Sequence, residues 1–152
     1  MSVTIPEGFV AAGVACGIKD SGDADLALVA TDDGRPVAAA AVFTTNLATA
    51  APVQVSRRHL GLSGGRAAAV VVNSGNANAA TGATGLAVAA GTCALVADGL
   101  GCAAQEVLVC STGLIGIPLD LAPFSGGVAG AVAALARSGG DAAARAIMTT
   151  DT

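Results

Sequence analysis

Apolar runs punctuated by aspartate, glycine and proline dominate the first third of the chain. Phe9 to Ile18 ends at the turn-rich KDSGDAD, Leu26 to Ala30 closes at Asp32-Asp33-Gly34, and Val37 to Phe43 follows, which predicts three β-strands. The Asp-Gly chemistry between the second and third runs predicts a hairpin, with Arg35-Pro36 making its connection longer than the tight two-residue type. Pro52 to Ser56 alternates like a further strand, and Arg57, Arg58 and His59 begin a polar, solvated segment. His59 reads as a surface residue, because no second ligand or carboxylate lies near it in sequence.

Ala67 to Val72 is a continuous apolar run that leads into a loop from Asn73 to Gly82. Beyond it, Leu86, Ala89, Ala90, Cys93, Val96, Ala97 and Leu100 recur at three- and four-residue spacing and mark one face of a helix. Gly91 and Gly99 weaken that helix by about 1 kcal/mol each relative to alanine, which points to close packing against a neighbour, and Gly101 ends it. Val107 to Cys110 predicts a second buried strand, followed at once by a loop from Ser111 to Gly116. A small-residue helix from Leu121 to Arg137 and a short one from Asp141 to Met148, with Asp141 as N-cap, complete the pattern. Strands first, then strand, loop and helix twice over, argue for an α/β or α+β layered domain, with no linker-like boundary within residues 1–152.

At 152 residues the chain is one domain or part of one. It is 53% apolar with three Phe and no Tyr or Trp, so the core is built from small residues, Val and Leu, and its backbones pack closely. A net charge of −4 with seven Lys plus Arg leaves neither a basic stripe nor stacking platforms, which argues against nucleic acid. The apolar stretches are interrupted before membrane-span length; the longest candidate, Leu121 to Ala136, contains Pro123 and three glycines. No membrane association is expected. MSVTIPEGF carries no secretory pattern, so the expected location is cytoplasmic. Four cysteines without a CxxC and a lone histidine offer no zinc set, and Cys16, Cys93 and Cys110 read as small buried hydrophobes.

Chemistry could sit in the two small-residue loops that follow apolar strands, Asn73 to Gly82 and Ser111 to Gly116. Main-chain N–H groups there can form an anion nest or an oxyanion hole; the same residues also suit a structural turn. Neither loop has the GxxxxGK[ST] or GxGxxG phosphate pattern. A Ser-His-Asp triad would rest on His59 alone, without a GxSxG elbow, and is rejected. The last residues, IMTTDT, read as an internal segment cut short.

Six ordered blocks, AAGVACGIKDSGDADLAL (Ala11 to Leu28), AVFTTN (Ala41 to Asn46), AAPVQVSR (Ala50 to Arg57), VVNSGNANAATG (Val71 to Gly82), VLVCSTGLIG (Val107 to Gly116) and AIMTTDT (Ala146 to Thr152), resemble the N-terminal part of the ornithine acetyltransferase family. These are bifunctional glutamate N-acetyltransferases of arginine biosynthesis. Ala80 departs from the cysteine of many members and keeps the loop small. The resemblance implies a layered α/β sheet-and-helix domain of the DmpA/ornithine acetyltransferase type, incomplete without a β chain. It also implies an autocatalytically cleaved precursor whose β chain begins with the nucleophilic Thr, assembled as an α2β2 heterotetramer. The acetyl group would pass from N-acetylornithine to glutamate by a ping-pong acyl-enzyme route.

By the same resemblance Thr112 and Gly113 correspond to the family's oxyanion pair and Thr149 to a substrate-contacting Thr. For Asn73, Asn76 and Asn78 turn chemistry is the expectation. No metal or cofactor is implied, with acetyl-CoA a further candidate acetyl donor. The family's chain continues past MTTDT through a Lys-containing segment to the nucleophile, so residues 1–152 alone are expected to be inactive. Two other readings share the motifs: a truncated binding module, and a paralogue acting on another acyl-amino acid.

Overall fold

The computed structural model describes residues 2–149. Its elements run β1 (Phe9–Val14), β2 (Leu26–Thr31), β3 (Val37–Ala38), α1 (Ala51–Leu62), β4 (Arg66–Ala67), β5 (Ala69–Asn76), α2 (Gly82–Leu100), β6 (Val107–Leu114), α3 (Ala122–Ala133) and α4 (Gly140–Ala146). Four strands form one sheet in the order β1-β2-β5-β6. β1 and β2 are antiparallel from Phe9↔Thr31 to Val14↔Leu26, and β2 runs antiparallel to β5 from Leu26↔Asn73 to Ala30↔Ala69. β5 and β6 are parallel from Ala69↔Val107 to Asn76↔Leu114, joined by the α2 crossover that a parallel pair requires.

Strand alternation divides the core between the two faces. Leu26, Leu28, Ala69, Val71, Val107 and Val109 bury against α1, α2 and α3, whereas Ala11 and Ala27 pack against Ala143 and Ala146 of α4. Helix α2 buries Gly85, Val88, Ala89, Thr92, Cys93, Val96 and Ala97, so the predicted face is displaced slightly and Ala90 is exposed. An added Cβ on Gly91 would stand 2.8 Å from Leu121 and one on Gly99 3.0 Å from Val132, the close neighbour that the glycines predict. Gly101, at φ 72, caps the helix as expected.

Several expectations are corrected. The predicted hairpin between the second and third runs does not form: β2 pairs with β1 and β5, while β3 pairs with β4 in a separate two-stranded sheet. Pro52 to Ser56 is the first turn and a half of α1 rather than a strand. Pro is favoured at the start of a helix, and the buried Pro52, Val55 and Ser56 keep helical spacing. α3 stops at Ala133 because Ala136 leaves the helix to exchange two backbone hydrogen bonds with Ala11, at 3.0 and 3.1 Å, on the outer edge of β1. Gly139, not Asp141, is the N-cap of α4; Asp141 lies in its first turn.

α2, at 19 residues and a mean hydropathy of 1.5, has the length and composition of a membrane span, contrary to expectation; it packs against α1, α3 and β6. Cys93 is buried and Cys16 half-buried, but Cys110 is exposed, because alternation sends Val107 and Val109 to the helical face and Leu108 and Cys110 to the other.

Candidate functional site

β6 is an edge strand whose outer side is closed by α1. Ser56 Oγ accepts from the Val109 N–H at 2.8 Å and donates to the Val109 carbonyl at 2.7 Å. His59 is half-buried rather than solvated, and its Nδ1 lies 2.9 Å from the Val107 carbonyl oxygen. A carbonyl only accepts, so Nδ1 carries the proton. Covering an edge in this way leaves β6 no open side on which to add a strand over these residues.

The two predicted loops begin as strand. Asn73 to Asn76 and Ser111 to Leu114 continue β5 and β6, with Ser74 opposite Thr112 and Gly75 opposite Gly113. Polar and glycine residues hid these turns of strand from the apolar pattern. Gly113 adopts φ 133, and a Cβ there would fall 2.3 Å from the Gly75 carbonyl carbon and 2.6 Å from Asn76 N. Only glycine fits, both in conformation and in space. A side-chain chain crosses the same pair: Ser111 Oγ donates to Asn73 Oδ1 at 2.5 Å, and Asn73 Nδ2 donates to the Asn76 carbonyl at 2.8 Å.

Asn76 and Asn78 do the turn chemistry expected of them, whereas Asn73 lies within β5 and bonds across to Ser111 of β6. Asn76 Oδ1 accepts from Asn78 N–H at 2.8 Å, Asn78 Nδ2 donates to the Gly85 carbonyl at 2.9 Å, and Thr81 Oγ1 donates to Asn78 Oδ1 at 2.7 Å. Together they seat the start of α2 over the end of β5. The left-handed Asn78 (φ 47) and Ala80 (φ 58) reverse the chain between them.

A cavity of about 420 Å³ opens at the carboxyl ends of the parallel pair, lined by Lys19, Gly75, Thr112, Gly113, Leu114 and Thr149. All three predicted site residues, Thr112, Gly113 and Thr149, thus meet in one cavity, although Thr149 lies far along the chain. Thr150, Asp151 and Thr152 of the AIMTTDT block lie outside the described residues. The Thr112 side chain is exposed to this space and makes no hydrogen bond to the described residues. Ser74 Oγ donates to the Ala146 carbonyl at 2.6 Å, which fixes the end of α4, and so the approach to Thr149, against β5.

Asp25, which no sequence motif singles out, holds the near wall. The fully buried Asp25 carboxylate accepts N–H bonds from Cys16 (2.6 Å), Ile18 (2.6 Å) and Lys19 (2.9 Å). Burial pushes its pKa up, but the N–H groups of Lys19, Cys16 and Ile18 outweigh burial and hold it below the usual carboxylate range. Burial first, and then the Asp25 carboxylate, push the neighbouring Cys16 thiol up to about 12. The available signal for Asp25 was an acid set directly against an apolar strand, which must find donors if it is buried. Among the described residues no group of His, Cys, Asp and Glu is arranged to hold a metal ion.

Residues 10–152 match the ArgJ family. The chain is 53% identical over 152 residues to the arginine biosynthesis bifunctional protein ArgJ of Thermobifida fusca, covering all of this chain and 39% of that protein. It is 50% identical over 149 residues to the protein of the same name from Gloeobacter violaceus, covering 98% of this chain and 36% of the relative. The chain therefore spans little more than a third of the length of these curated relatives. Among solved structures, the ornithine acetyltransferase of Mycobacterium tuberculosis complexed with ornithine superposes with a TM-score of 0.92 at 48% identity, over 99% of this chain and 80% of that one. ArgJ from Bacillus halodurans gives 0.89 at 35% identity, over 100% and 78%. With a mixed α/β sheet-and-helix fold shared with these structures and a family match across nearly its whole length, the chain belongs to the ArgJ family.

Proposed function

We propose that residues 1–152 form the N-terminal, oxyanion-binding part of an acetyltransferase of arginine biosynthesis. Its acetyl donor is N-acetylornithine and its acceptor glutamate, with acetyl-CoA a further donor. The nucleophile is the hydroxyl of a Thr in the remainder of the longer protein, freed by autocatalytic cleavage as the first residue of a β chain, in a cytoplasmic α2β2 assembly. The observation that carries this reading is the cavity shared by Thr112, Gly113 and Thr149, in a chain half identical to ArgJ proteins.

The Thr hydroxyl adds to the acetyl carbonyl carbon, and its proton passes to the ornithine nitrogen as the C–N bond breaks. An acetyl ester remains, and the glutamate amine takes the acetyl group from it in the second half-reaction. In both additions the carbonyl oxygen gains negative charge. Gly113, which has no side chain to bar approach to its backbone, and the Thr112 hydroxyl are suited to donate to that oxygen. Thr149 contacts the amino-acid portion of the substrate. No metal or cofactor enters the scheme.

The test is Thr112→Ala in the full-length enzyme. The reading expects kcat to fall about 100- to 1000-fold, roughly 2.7 to 4 kcal/mol, with substrate KM and melting temperature nearly unchanged. A normal kcat per active site beside a lowered melting temperature would remove Thr112 from the catalytic group and leave it a loop-shaping residue.

A further inference from the structure

Lys19 has no part in the chemistry just described, yet it supplies the cationic side chain of the cavity lining. Its placement is built up in layers. The buried Asp25 carboxylate gathers the N–H groups of Cys16, Ile18 and Lys19 and so fixes the turn that follows β1. The Lys19 stem then lies on Gly75, where an added Cβ would come within 3.2 Å of Lys19 Cγ, and Gly75 itself lies against Gly113. From this position Nζ donates to the Ala24 carbonyl at 3.0 Å and to the Met148 carbonyl at 2.7 Å. Ala24 leads into β2, and Met148 directly precedes Thr149. One ammonium therefore joins two segments remote in sequence beside the glycine pair.

We infer that Lys19 is a positioning residue of the cavity: its ammonium ties down the Met148 carbonyl and thereby holds Thr149 on the wall shared with Thr112 and Gly113. The inference rests on the acyl-transfer reading for its consequence, the binding of the acylated amino acid, but the tether is physical and can be measured apart from activity. A lone exposed lysine is usually too mobile to order a backbone, because immobilising its long side chain costs conformational entropy. Here the stem is confined by the Gly75 backbone and the ammonium has two carbonyl acceptors, and bonds from a charged donor are stronger than those between neutral groups.

The experiment compares wild type, Lys19→Met and Lys19→Arg in the full-length enzyme, by steady-state kinetics with N-acetylornithine and by amide hydrogen exchange of the peptide spanning 146–149. The methionine keeps the stem and removes the donors. Loss of an interaction made equally in ground and transition states raises KM and spares kcat, so the methionine variant should show KM raised about tenfold or more with kcat within about threefold. Exchange at 147–149 should quicken about tenfold, and arginine, which retains charge and donors, should restore both readouts to within about threefold. Wild-type KM and exchange in the methionine variant would overturn the inference, as would a fall in kcat that merely tracks the melting temperature at unchanged KM. If methionine misfolds, Lys19→Gln gives the same comparison. A wild-type enzyme without acetyl transfer, in which methionine still releases the 146–149 segment, would overturn the functional reading while upholding the tether.

Discussion

Replacing Asp25 by asparagine removes one charge and leaves the volume of a fully buried side chain almost unchanged. The carboxylate accepts the Cys16 N–H on Oδ1 and the Ile18 and Lys19 N–H groups on Oδ2. Asparagine has a single acceptor oxygen. In its better orientation the amide carbonyl keeps Ile18 and Lys19 and turns its NH2 toward the Cys16 N–H, donor against donor. The lost bond and the unpaired donor cost about 2 kcal/mol or more, and the two retained bonds weaken by about 1 kcal/mol each as they become neutral, for a total of about 4 kcal/mol. At about 2 to 4 °C per kcal/mol for a protein of this size, the melting temperature should drop about 8 to 16 °C.

Acid provides a second, independent signature. The folded pKa lies below the unfolded value, so the contribution of Asp25 is complete above the unfolded carboxyl pKa of about 3.9 and disappears as the pH falls through the folded value. Urea denaturation of wild type and variant should show the full gap at about pH 7, narrowing below about pH 4. A variant within about 1 kcal/mol of wild type near neutrality, or a gap that stays constant into acid, would refute this account of the Asp25 turn.

Two further predictions concern the strands. Gly113→Ala should cost about 3 to 5 kcal/mol, combining left-handed strain with a Cβ driven into the Gly75 backbone, whereas Gly75→Ala, which is also strained at φ 101, should be milder, since its tightest contacts would be the Ile18 and Lys19 side chains at 3.2 Å and the Ile18 backbone only at 3.7 Å. Thermal melts of the two variants side by side check the order, and equal losses would contradict the backbone contact. Ser56→Ala leaves the Val109 N–H and carbonyl without their side-chain partner on the covered edge of β6 and should destabilise by about 2 to 4 kcal/mol, measured by urea denaturation.

α2 was legible because its 3.6-residue period runs for five turns, long enough for the spacing to identify helix and approximate face alike. α1 was not, because Pro52 to Ser56 offers two alternating apolar positions, which fit one turn of helix as well as a short strand. The strand ends at Asn73 to Asn76 and Ser111 to Leu114 carry no apolar signal. Their extended form comes from pairing with each other and from the Gly75–Gly113 approach, both tertiary facts. The motif resemblance named Thr112, Gly113 and Thr149 because those residues sit in distinctive runs. Lys19 was invisible for a different reason: its acceptors are main-chain carbonyls, and no residue type at position 24 or 148 advertises that a lysine must reach it.

The composition and the location of the cavity have a common cause. Ligands in sheets of this kind bind beyond the carboxyl ends of parallel strands, where the chain turns away into the following helices, and β5 and β6 form the parallel pair of the main sheet. On the proposed acyl-transfer reading, an oxygen bearing negative charge at that place can be met by main chain only if side chains do not intervene, which favours small residues there. Small residues bury little apolar area each, about 0.8 kcal/mol per CH₂, so a wall built from them must be secured by contacts that apolar bulk would otherwise provide. The Asn73–Ser111 bond, the Asn78 turn, the Asp25 carboxylate and the Lys19 ammonium serve that purpose, each acting on backbone or on a neighbouring polar group within the wall. These polar side chains are accordingly structural, since each is bonded to backbone or to a polar neighbour within the wall. Substitutions among them should be read first through folding and local order, and only then through turnover.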